Sequence, residues 1–495
     1  MLNEFVYIAA NRFGHGINPK LAKSLHNIDS LQGAQAWLIS QMTPYKLNDV
    51  KWSSEDAMLS YYHFKEQQKL ERENESKSES ESGSESKSET QNNMMSAGSK
   101  QLRRDMIASA RKLAQDNALS GLTTEQPLCS RLLAFFSNHF AVSRSNTLLT
   151  LLSPTLETEA IAPRLHKRFS DILIAVTTHP AMLMYLNNER SMGPNSKTGK
   201  RRKAKKQRGA GLNENLAREI LELHTLGVHS GYKQDDVLEL ARAITGWSIS
   251  NVKKGEDPGF AFRANMQEPG NRALLGKTYS LEAISFRNDS LAAKLAKQNP
   301  QMSLGLKMLD DLANHPSTAE HVSYKLAKYF ISDNVPKALV DAMKKTWLAT
   351  NGDMNKVIST MIANPLSWQK KADKFKSPRA FVLSACNACG VKKPVPDLYR
   401  TLEILGHGFF NSGSPAGYED EQKAWLGTSA LNSRIEWASY FADQITKRKK
   451  VEPLALAQQA LGPLLSQAST LAIKRAESKQ QALALFLLSP DFQRR

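Results

Sequence analysis

The chain has 495 residues and carries 66 Lys and Arg against 48 Asp and Glu, which gives a formal net charge of +18. Apolar residues recur in periodic blocks along most of the chain, and this excludes a fully disordered protein. The longest purely apolar run, Ala482–Leu488, is far shorter than the ~20 residues of a membrane-spanning helix, so a membrane span is excluded. No basic segment followed by an apolar one opens the sequence, which predicts a cytoplasmic location.

Residues 1–70 are predicted to form an N-terminal helical segment that packs on the main body. Residues 71–100 are predicted to be a disordered linker rich in Ser and Glu. Its central part, Asn74–Thr90, holds five Glu, two Lys and no apolar residue. Such a segment has nothing to bury that would offset the entropy lost on ordering.

Residues 101–495 are predicted to form one large helical domain, because apolar residues recur there at the 3.6-residue period. The fold class is therefore all-α. A basic loop is predicted at 195–210, where eight of the twelve residues 197–208 are Lys or Arg. A small β-hairpin is predicted near 247–262, where large apolar residues alternate around Gly255 and Gly259.

Two short motifs resemble functional sites but are predicted to have only a structural role. The segment Gly270–Thr278 has five residues between its glycines, where a phosphate-binding loop has four. It also has Leu274 and Leu275 at positions where such a loop needs its backbone open to the phosphates. Cys386 and Cys389 close an apolar stretch that ends at Gly390. They are predicted to be two small buried residues of a helix, since no second Cys pair completes a zinc site.

One predicted helix, residues 214–227, carries the first candidate site. At 100° per residue, Glu219 and Glu222 share a polar face with Asn215 and Arg218, whereas His224 lies on the apolar face. This polar face is either an ion-paired helix surface or a carboxylate cluster for a divalent cation or general base. We expect both carboxylates to be partly buried and in contact with Asn215 and Arg218.

Three histidines form the second candidate site. His139 and His224 are predicted to face inward, and His179 precedes Pro180 at a helix junction. If the three met with one coordination position left open, they would suit catalytic zinc or iron, and Glu219 and Glu222 are further candidate metal ligands. In the alternative interpretation, each buried histidine is neutral and bonded to a backbone carbonyl. The sequence therefore leaves open whether a divalent metal is a cofactor.

Nucleic-acid binding is disfavoured, although the high net charge permits it. The helix predicted after residue 233 carries Asp235, Asp236 and Glu239 against Arg242 alone, so it would repel phosphates in a major groove. The basic segment Lys197–Arg208 is a credible contact for an anionic partner. It lacks the interleaved aromatic residues that stack on bases.

Several longer motifs carry a family resemblance. The segment Gly211–Thr245, followed by Gly246 and Trp247, resembles the bacterial family catalogued as domain of unknown function 1800. Further similar segments span nearly the whole chain: residues 12–16, 137–143, 179–187, 376–378, 424–426 and 489–495. In one departure, family members commonly have a histidine where this chain has Gln267, so a site that uses that histidine is in doubt.

The resemblance implies a largely helical fold and no settled activity. It also implies, by gene association, an exported partner similar to alkaline phosphatases and sulfatases, so export together with a partner stays open. We predict a binding or accessory protein that uses a groove lined by the motif residues, with the basic loop for an anionic partner. Asn213, Asn215 and Arg218 are further candidate site residues. The alternative is a metal-dependent, hydrolase-like enzyme that uses Glu219, Glu222, His139 and His224.

Overall fold

The structure of the protein is a computed structural model that describes residues 2–47, 51–82, 97–205, 211–228, 230–370, 372–394 and 396–495. These residues form a mainly helical fold with two small two-stranded sheets, which confirms the predicted fold class. Within these ranges, no helix combines the length and the apolar composition that a membrane span requires.

The N-terminal region contains five helices. It shares a large hydrophobic core with the central part of the chain, because Ile8, Phe13 and Met58 belong to the same buried cluster as Phe136 and Phe169. The bounds are α1 Glu4–Phe13, α2 Pro19–Ser24, α3 Leu31–Ser40, α4 Ser54–Ser82 and α5 Ala97–Leu119.

The Ser/Glu-rich segment predicted as a disordered linker over residues 71–100 differs from this prediction at both ends. Helix α4 continues to Ser82, and α5 begins at Ala97. Glu and Lys are good helix formers, so a helix already established upstream extends into polar sequence at little cost. Residues 83–96 lie outside the described residues.

The centre of the chain contains short helices and two π-helical turns. The helices are α6 Pro127–His139, α7 Thr147–Leu152, α8 Phe169–Thr177, α9 Pro180–Tyr185, α10 Lys197–Ala204, α11 Asn215–Glu219 and α12 Gln234–Ala243. The π-helical turns are Glu157–Ile161 and Ile220–His224. Such turns often occur at functional sites, because they redirect side chains within a helix.

The basic segment is a helix and not the predicted loop over its described part. The Ser196 hydroxyl caps α10 by accepting the Gly199 N–H at 3.0 Å. Lys and Arg in the last turn suit the negative end of the helix dipole. The helix buries none of its residues, and residues 206–210 lie outside the described part of the chain.

Two antiparallel hairpins follow α12. The predicted hairpin is confirmed: β1 Trp247–Ile249 pairs with β2 Phe260–Phe262. The second, β3 Arg272–Leu274 with β4 Lys277–Tyr279, was not predicted. Leu275 and Gly276 make its turn with φ of 52° and 77°, and positive φ at both central residues defines the tight turn that matches strand twist.

Two groups of helices complete the fold. The first extends the large core with α13 Leu291–Gln298, α14 Ser303–Ala313, α15 Pro316–Phe330, α16 Lys337–Thr350 and α17 Met354–Ala363. The second builds a separate C-terminal core with α18 Pro378–Ala388, α19 Leu398–Ile404, α20 Thr428–Arg448, α21 Pro453–Leu461, α22 Gln467–Lys474, α23 Lys479–Leu488 and α24 Pro490–Gln493. Cys386 and Cys389 are buried at the end of α18, as predicted.

Candidate functional site

Two of the three predicted histidines lie side by side in the large core. The His139 and His224 side chains are buried, and their ring centroids are 6.1 Å apart. His139 Nε2 donates to the His224 carbonyl oxygen at 3.2 Å. Burial is the largest cause that lowers the pKa of His139 well below its ordinary value and that of His224 to about 3. Both rings are therefore neutral at physiological pH.

His179 has a structural role at the start of α9. Its Nδ1 accepts the Ala181 N–H at 3.2 Å and thereby caps the helix. Its Nε2 lies 3.1 Å from Glu159 Oε2. Because Nδ1 accepts a hydrogen bond, the ring proton is on Nε2 and is donated to Glu159.

The structure does not gather these residues around a metal. Within the described ranges, no three His, Cys, Asp or Glu side chains form a group that could hold a metal ion. His139 and His224 are neighbours, while His179 serves α9 and Glu159. The predicted convergence of His139, His179 and His224 on a metal is therefore not formed among the described residues.

The two predicted carboxylates are half-buried, as expected. Burial and then the neighbouring Glu222 raise the pKa of Glu219 above its ordinary value. The Tyr232 hydroxyl bonds to Glu222, and the pKa of Tyr232 is raised to about 12, mainly by burial. A raised pKa brings a carboxyl closer to the range that general acid–base work requires.

The prediction of a regular α-helix over residues 214–227 is only partly correct. Helix α11 is regular over Asn215–Glu219, but the turn Ile220–His224 is π-helical. A π turn holds more residues than an α turn, so the angle of 100° per residue does not apply between Glu222 and His224. The faces are nevertheless as predicted, with His224 buried and Glu222 partly exposed.

The other residues predicted on this face organise the helix ends. Arg218 donates to Glu214 Oε1 at 2.6 Å and reaches Glu222 Oε1 at 3.5 Å. Asn213 Oδ1 accepts the backbone N–H of Asn215 at 2.9 Å. Arg218 therefore contacts one of the two carboxylates, Glu222, as expected. Asn215 is exposed, and its backbone N–H takes part in the start of the helix instead.

Replacing His224 by Ala is expected to lower the free energy of unfolding by about 1–3 kcal/mol, because a buried and packed ring is lost. The His224 ring lies 5.0 Å from that of Phe140 and is 1% exposed. Urea unfolding of both proteins measures the change. His26, which is exposed, supplies the matched control as His26→Ala. Unchanged stability of His224→Ala would contradict the packing described.

A second site, which the motif residues line, lies between the large core and the C-terminal core. It is a pocket with a volume of about 80 Å³. Its wall comes from α6, the π turn at Glu157, the start of α18 and the loop after α19. The polar and aromatic lining residues include His15, Arg131, Ser137, Asn138, Glu157, Tyr329, Ser377, Arg379, His407, Tyr418, Asp420 and Trp425. Five of them, His15, Ser137, Asn138, Ser377 and Trp425, belong to the segments that carry the family resemblance.

Arg131 is the principal charge in the pocket wall. It is 2% exposed, and its guanidinium carbon lies 4.7 Å from the Tyr329 ring centroid. Its Nε and Nη2 are buried and have no hydrogen-bond partner among the described residues. Arg379 lies on the same wall, with Nη1 3.8 Å from Glu157 Oε1. A buried guanidinium without a partner is costly, so an unpaired one requires an explanation.

Further cations lie behind the wall. Arg495 is 2% exposed and stacks on the same Tyr329 ring at 5.1 Å. Lys376 is 1% exposed, and its Nζ lies 4.1 Å from the Phe492 ring centroid. Nε and Nη1 of Arg495 and Nζ of Lys376 also have no hydrogen-bond partner in the described part of the chain.

Two neutral histidines complete the polar surface of the pocket. His15 Nε2 lies 3.0 Å from Ser130 Oγ, and His407 Nδ1 accepts the Arg379 backbone N–H at 3.3 Å. The proton of neutral His407 is therefore on Nε2. Burial and then the surrounding cations, Arg131 first, lower the pKa of His15 well below its ordinary value. Burial and then Arg379 lower that of His407 to about 3.

Of the three carboxylates that line the pocket, Glu419 is exposed, and Glu157 and Asp420 already have partners. Glu157 accepts from Ser137 Oγ at 2.7 Å and from Asn117 Nδ2 at 3.0 Å. Asp420 Oδ2 lies 2.9 Å from Lys374 Nζ. Neither carboxylate forms an ion pair with Arg131, and no other carboxylate of the described residues does so. The pocket wall therefore holds a buried guanidinium, that of Arg131, whose Nε and Nη2 have no acceptor among the described residues.

Four residues of this pocket were not predicted from the sequence as site residues: Arg131, Arg379, His407 and Asp420. For Arg131 a signal is present, because this charged residue stands among Leu128, Leu132 and Phe135 on a helix that is otherwise apolar at these positions. A charge within such a run marks either a buried pair or a binding group. The other three lie on segments whose apolar pattern does not indicate that they meet α6.

Comparison with known proteins identifies the family. The family model described as "Protein of unknown function (DUF1800)" matches residues 8–494, nearly the whole chain, and this confirms the resemblance. No curated protein and no solved structure matches the chain. The match includes both candidate sites and every helix from α6 to α24, so the chain belongs to the DUF1800 family of proteins of unknown function.

Proposed function

We propose that the protein binds a small oxyanion, a phosphate or sulfate group, in the pocket between its two cores. The observation that carries this proposal is Arg131, a buried arginine in the pocket wall whose Nε and Nη2 find no acceptor among the described residues. A guanidinium offers a planar fork of donors that matches two oxygens of such an anion. An anion in contact with Arg131 would compensate the charge that the fold leaves unpaired.

The start of α18 adds donors to the same wall. Ser377, Arg379 and Ala380 line the pocket, and the Ser377 side chain makes no capping hydrogen bond to this 11-residue helix. The N-terminal end of a helix carries partial positive charge and unsatisfied N–H groups, both of which favour an anion. The hydroxyl of Ser377 and the Nε2–H of His407 are further donors on this side.

The volume sets the size of the ligand. A water molecule requires roughly 10–15 Å³ by the same measure, so the pocket of about 80 Å³ holds roughly five to eight waters. This is room for one tetrahedral oxyanion with a few waters, and not for a nucleotide.

This proposal makes the protein a binding or accessory protein and not a metal-dependent enzyme. The alternative has less support, because the described residues hold no group of three or more metal-ligating side chains. The family resemblance supplies a chemical context for the ligand. The partner that it implies is similar to enzymes that release phosphate or sulfate, and the pocket is suited to holding such a product.

The test is binding of inorganic phosphate and sulfate, measured by isothermal titration calorimetry. Arg131→Met is expected to weaken binding by roughly 30-fold or more, which corresponds to about 2 kcal/mol or more for a buried charge contact. The variant should stay folded, since an apolar side chain of similar volume replaces a buried unpaired charge. Arg448→Met, at an exposed position on α20, is the matched control and should bind as the original protein does.

Thermal unfolding separates site binding from general salt effects. Sulfate and phosphate stabilise most folded proteins by exclusion from their surfaces. The stabilisation of the original protein and of Arg448→Met should therefore exceed that of Arg131→Met at equal ionic strength. Equal stabilisation of all three proteins, together with equal calorimetric titrations, would overturn the proposal.

A further inference from the structure

A second cavity lies between α4, α10 and the first hairpin. It is an open groove of about 720 Å³. Its lining shares no residue with that of the oxyanion pocket. Leu148, Met184, Ile249 and Met266 supply apolar surface to the groove. The groove is therefore a separate site, and what it binds does not depend on the oxyanion pocket.

The groove is lined by six basic side chains, and we call it the basic groove. They are Lys65, Arg190, Arg201, Lys253, Lys254 and Arg263. Two of them are neutralised locally, since Arg190 pairs with Glu189 at 3.1 Å and Arg263 with Glu256 at 2.5 Å. The other four form no ion pair within 4 Å with any described carboxylate.

Helix α10 adds more positive charge along one rim of the groove. Thr198 and Arg201 of this helix line the groove, and the helix carries Lys and Arg at five of its eight positions. None of its residues is fully buried, and Lys197, Lys200, Arg201 and Lys203 are exposed. Lys253 and Lys254, both exposed, stand on the loop that joins β1 and β2. A surface with this much unpaired charge of one sign attracts an anionic partner and accelerates its association.

The remaining lining distinguishes between classes of anionic partner. Tyr61 and Tyr62 are half-buried and pack edge to face with ring centroids 5.6 Å apart, so they do not form an open platform for stacked bases. The apolar surface suits side chains of a peptide, which alternate with charged residues along an extended segment. The groove is concave, whereas a membrane surface is flat.

We propose that the basic groove docks an acidic segment of a partner protein, in which Asp or Glu alternates with apolar residues. The carboxylates would contact Lys253, Lys254 and Arg201, and the apolar side chains would lie over Met184 and Ile249. Binding of this kind is salt-dependent, because exposed charges are screened over about 10 Å at 0.1 M salt.

The experiment measures fluorescence anisotropy of a labelled peptide composed of Glu and Leu. Three further probes are compared with it: the same peptide with Gln for Glu, a peptide of Glu alone, and labelled oligothymidylate. The expected result is binding of the Glu/Leu peptide that weakens with salt and exceeds binding of the other three probes. Equal or tighter binding of oligothymidylate would overturn the proposal in favour of nucleic acid. Equal binding of the all-Glu peptide would show that the apolar surface has no part in docking.

Charge reversal locates the interaction. Lys253→Glu with Lys254→Glu is expected to weaken binding of the Glu/Leu peptide at least tenfold. Lys392→Glu with Lys393→Glu is the matched control, because it reverses a second pair of adjacent exposed lysines outside the groove. The control should bind as the original protein does. An equal loss in both double variants would mean attraction to net charge alone, and no loss in either would place the peptide elsewhere.

Discussion

Replacing Lys376 by Met is expected to raise the free energy of unfolding at pH 7 by roughly 1–4 kcal/mol, the range found when buried charges are exchanged for apolar residues of similar volume. The Lys376 side chain is 1% exposed, and its Nζ has no hydrogen-bond partner in the described part of the chain. Burial and then the cations Arg495, Arg131 and Arg434 lower the pKa of Lys376 well below its ordinary value.

The lowered pKa of Lys376 also predicts how the free energy of unfolding changes with pH. A lysine with a lowered pKa binds fewer protons in the folded state than in the unfolded state. Stability therefore rises with pH between the folded pKa and the ordinary value of 10.5. The original protein should show this rise above neutral pH, and Lys376→Met should lack the part that Lys376 contributes.

Urea unfolding at pH 7 and at pH 9 measures both effects. Lys393→Met, at an exposed position, is the control and should change stability by no more than about 0.5 kcal/mol. A Lys376→Met variant that is less stable at pH 7, or that keeps the full rise with pH, would contradict the account of Lys376 as an unpaired buried amine.

The gain expected from Lys376→Met connects the stability of the fold to the proposed oxyanion site. Ser377, the next residue, lines the pocket, and Lys376 contributes to the low pKa of His15 across it. A protein that retains an unpaired buried amine gives up stability, and such a trade-off is common where a site is organised for a ligand. The same reasoning applies to Arg131, which lines the pocket and whose Nε and Nη2 have no hydrogen-bond partner among the described residues.

The sequence predicts well those features that depend on local periodicity. His224 and His139 are buried and Glu222 is partly exposed, because the apolar pattern of each helix already assigns its faces. The π turn at Ile220–His224 could not be predicted in this way, since a single changed backbone hydrogen-bond register leaves no mark on the pattern. The cap at Ser196 is visible in the sequence, yet the surrounding Lys and Arg obscured it and led to a predicted loop.

The oxyanion pocket is harder to predict because its residues come from distant parts of the chain. His15, Arg131, Arg379 and Asp420 meet only when the C-terminal core packs on the large core. Family-like motifs contain His15 and Ser377, but a motif does not indicate which others it will contact. No local rule relates Arg131 to Arg379 across about 250 positions of sequence, so the site emerges only where residues of α6 and α18 line the same pocket.

Replacing Arg434 by Met is expected to have the opposite effect to Lys376→Met, a loss of roughly 2–5 kcal/mol, because two buried acceptors would lose their donor. Arg434 donates to Gln493 Oε1 at 2.8 Å and to the Lys376 carbonyl oxygen at 2.7 Å. Its guanidinium carbon also lies 4.5 Å from the Phe375 ring centroid. Burial lowers the pKa of Arg434 to about 9, so it still carries its charge at neutral pH.

The two buried cations therefore differ in partners and not in burial. Arg434 satisfies the backbone before α18 and the end of α24, which joins the two ends of the C-terminal core. Urea unfolding of Arg434→Met, with Arg448→Met on the same helix as the exposed control, measures its contribution. Arg434→Lys should recover little, since a lysine cannot donate to two acceptors in the geometry of the fork. If Arg434→Met and Lys376→Met changed stability in the same direction, hydrogen-bond partners would not decide what a buried cation costs in this protein.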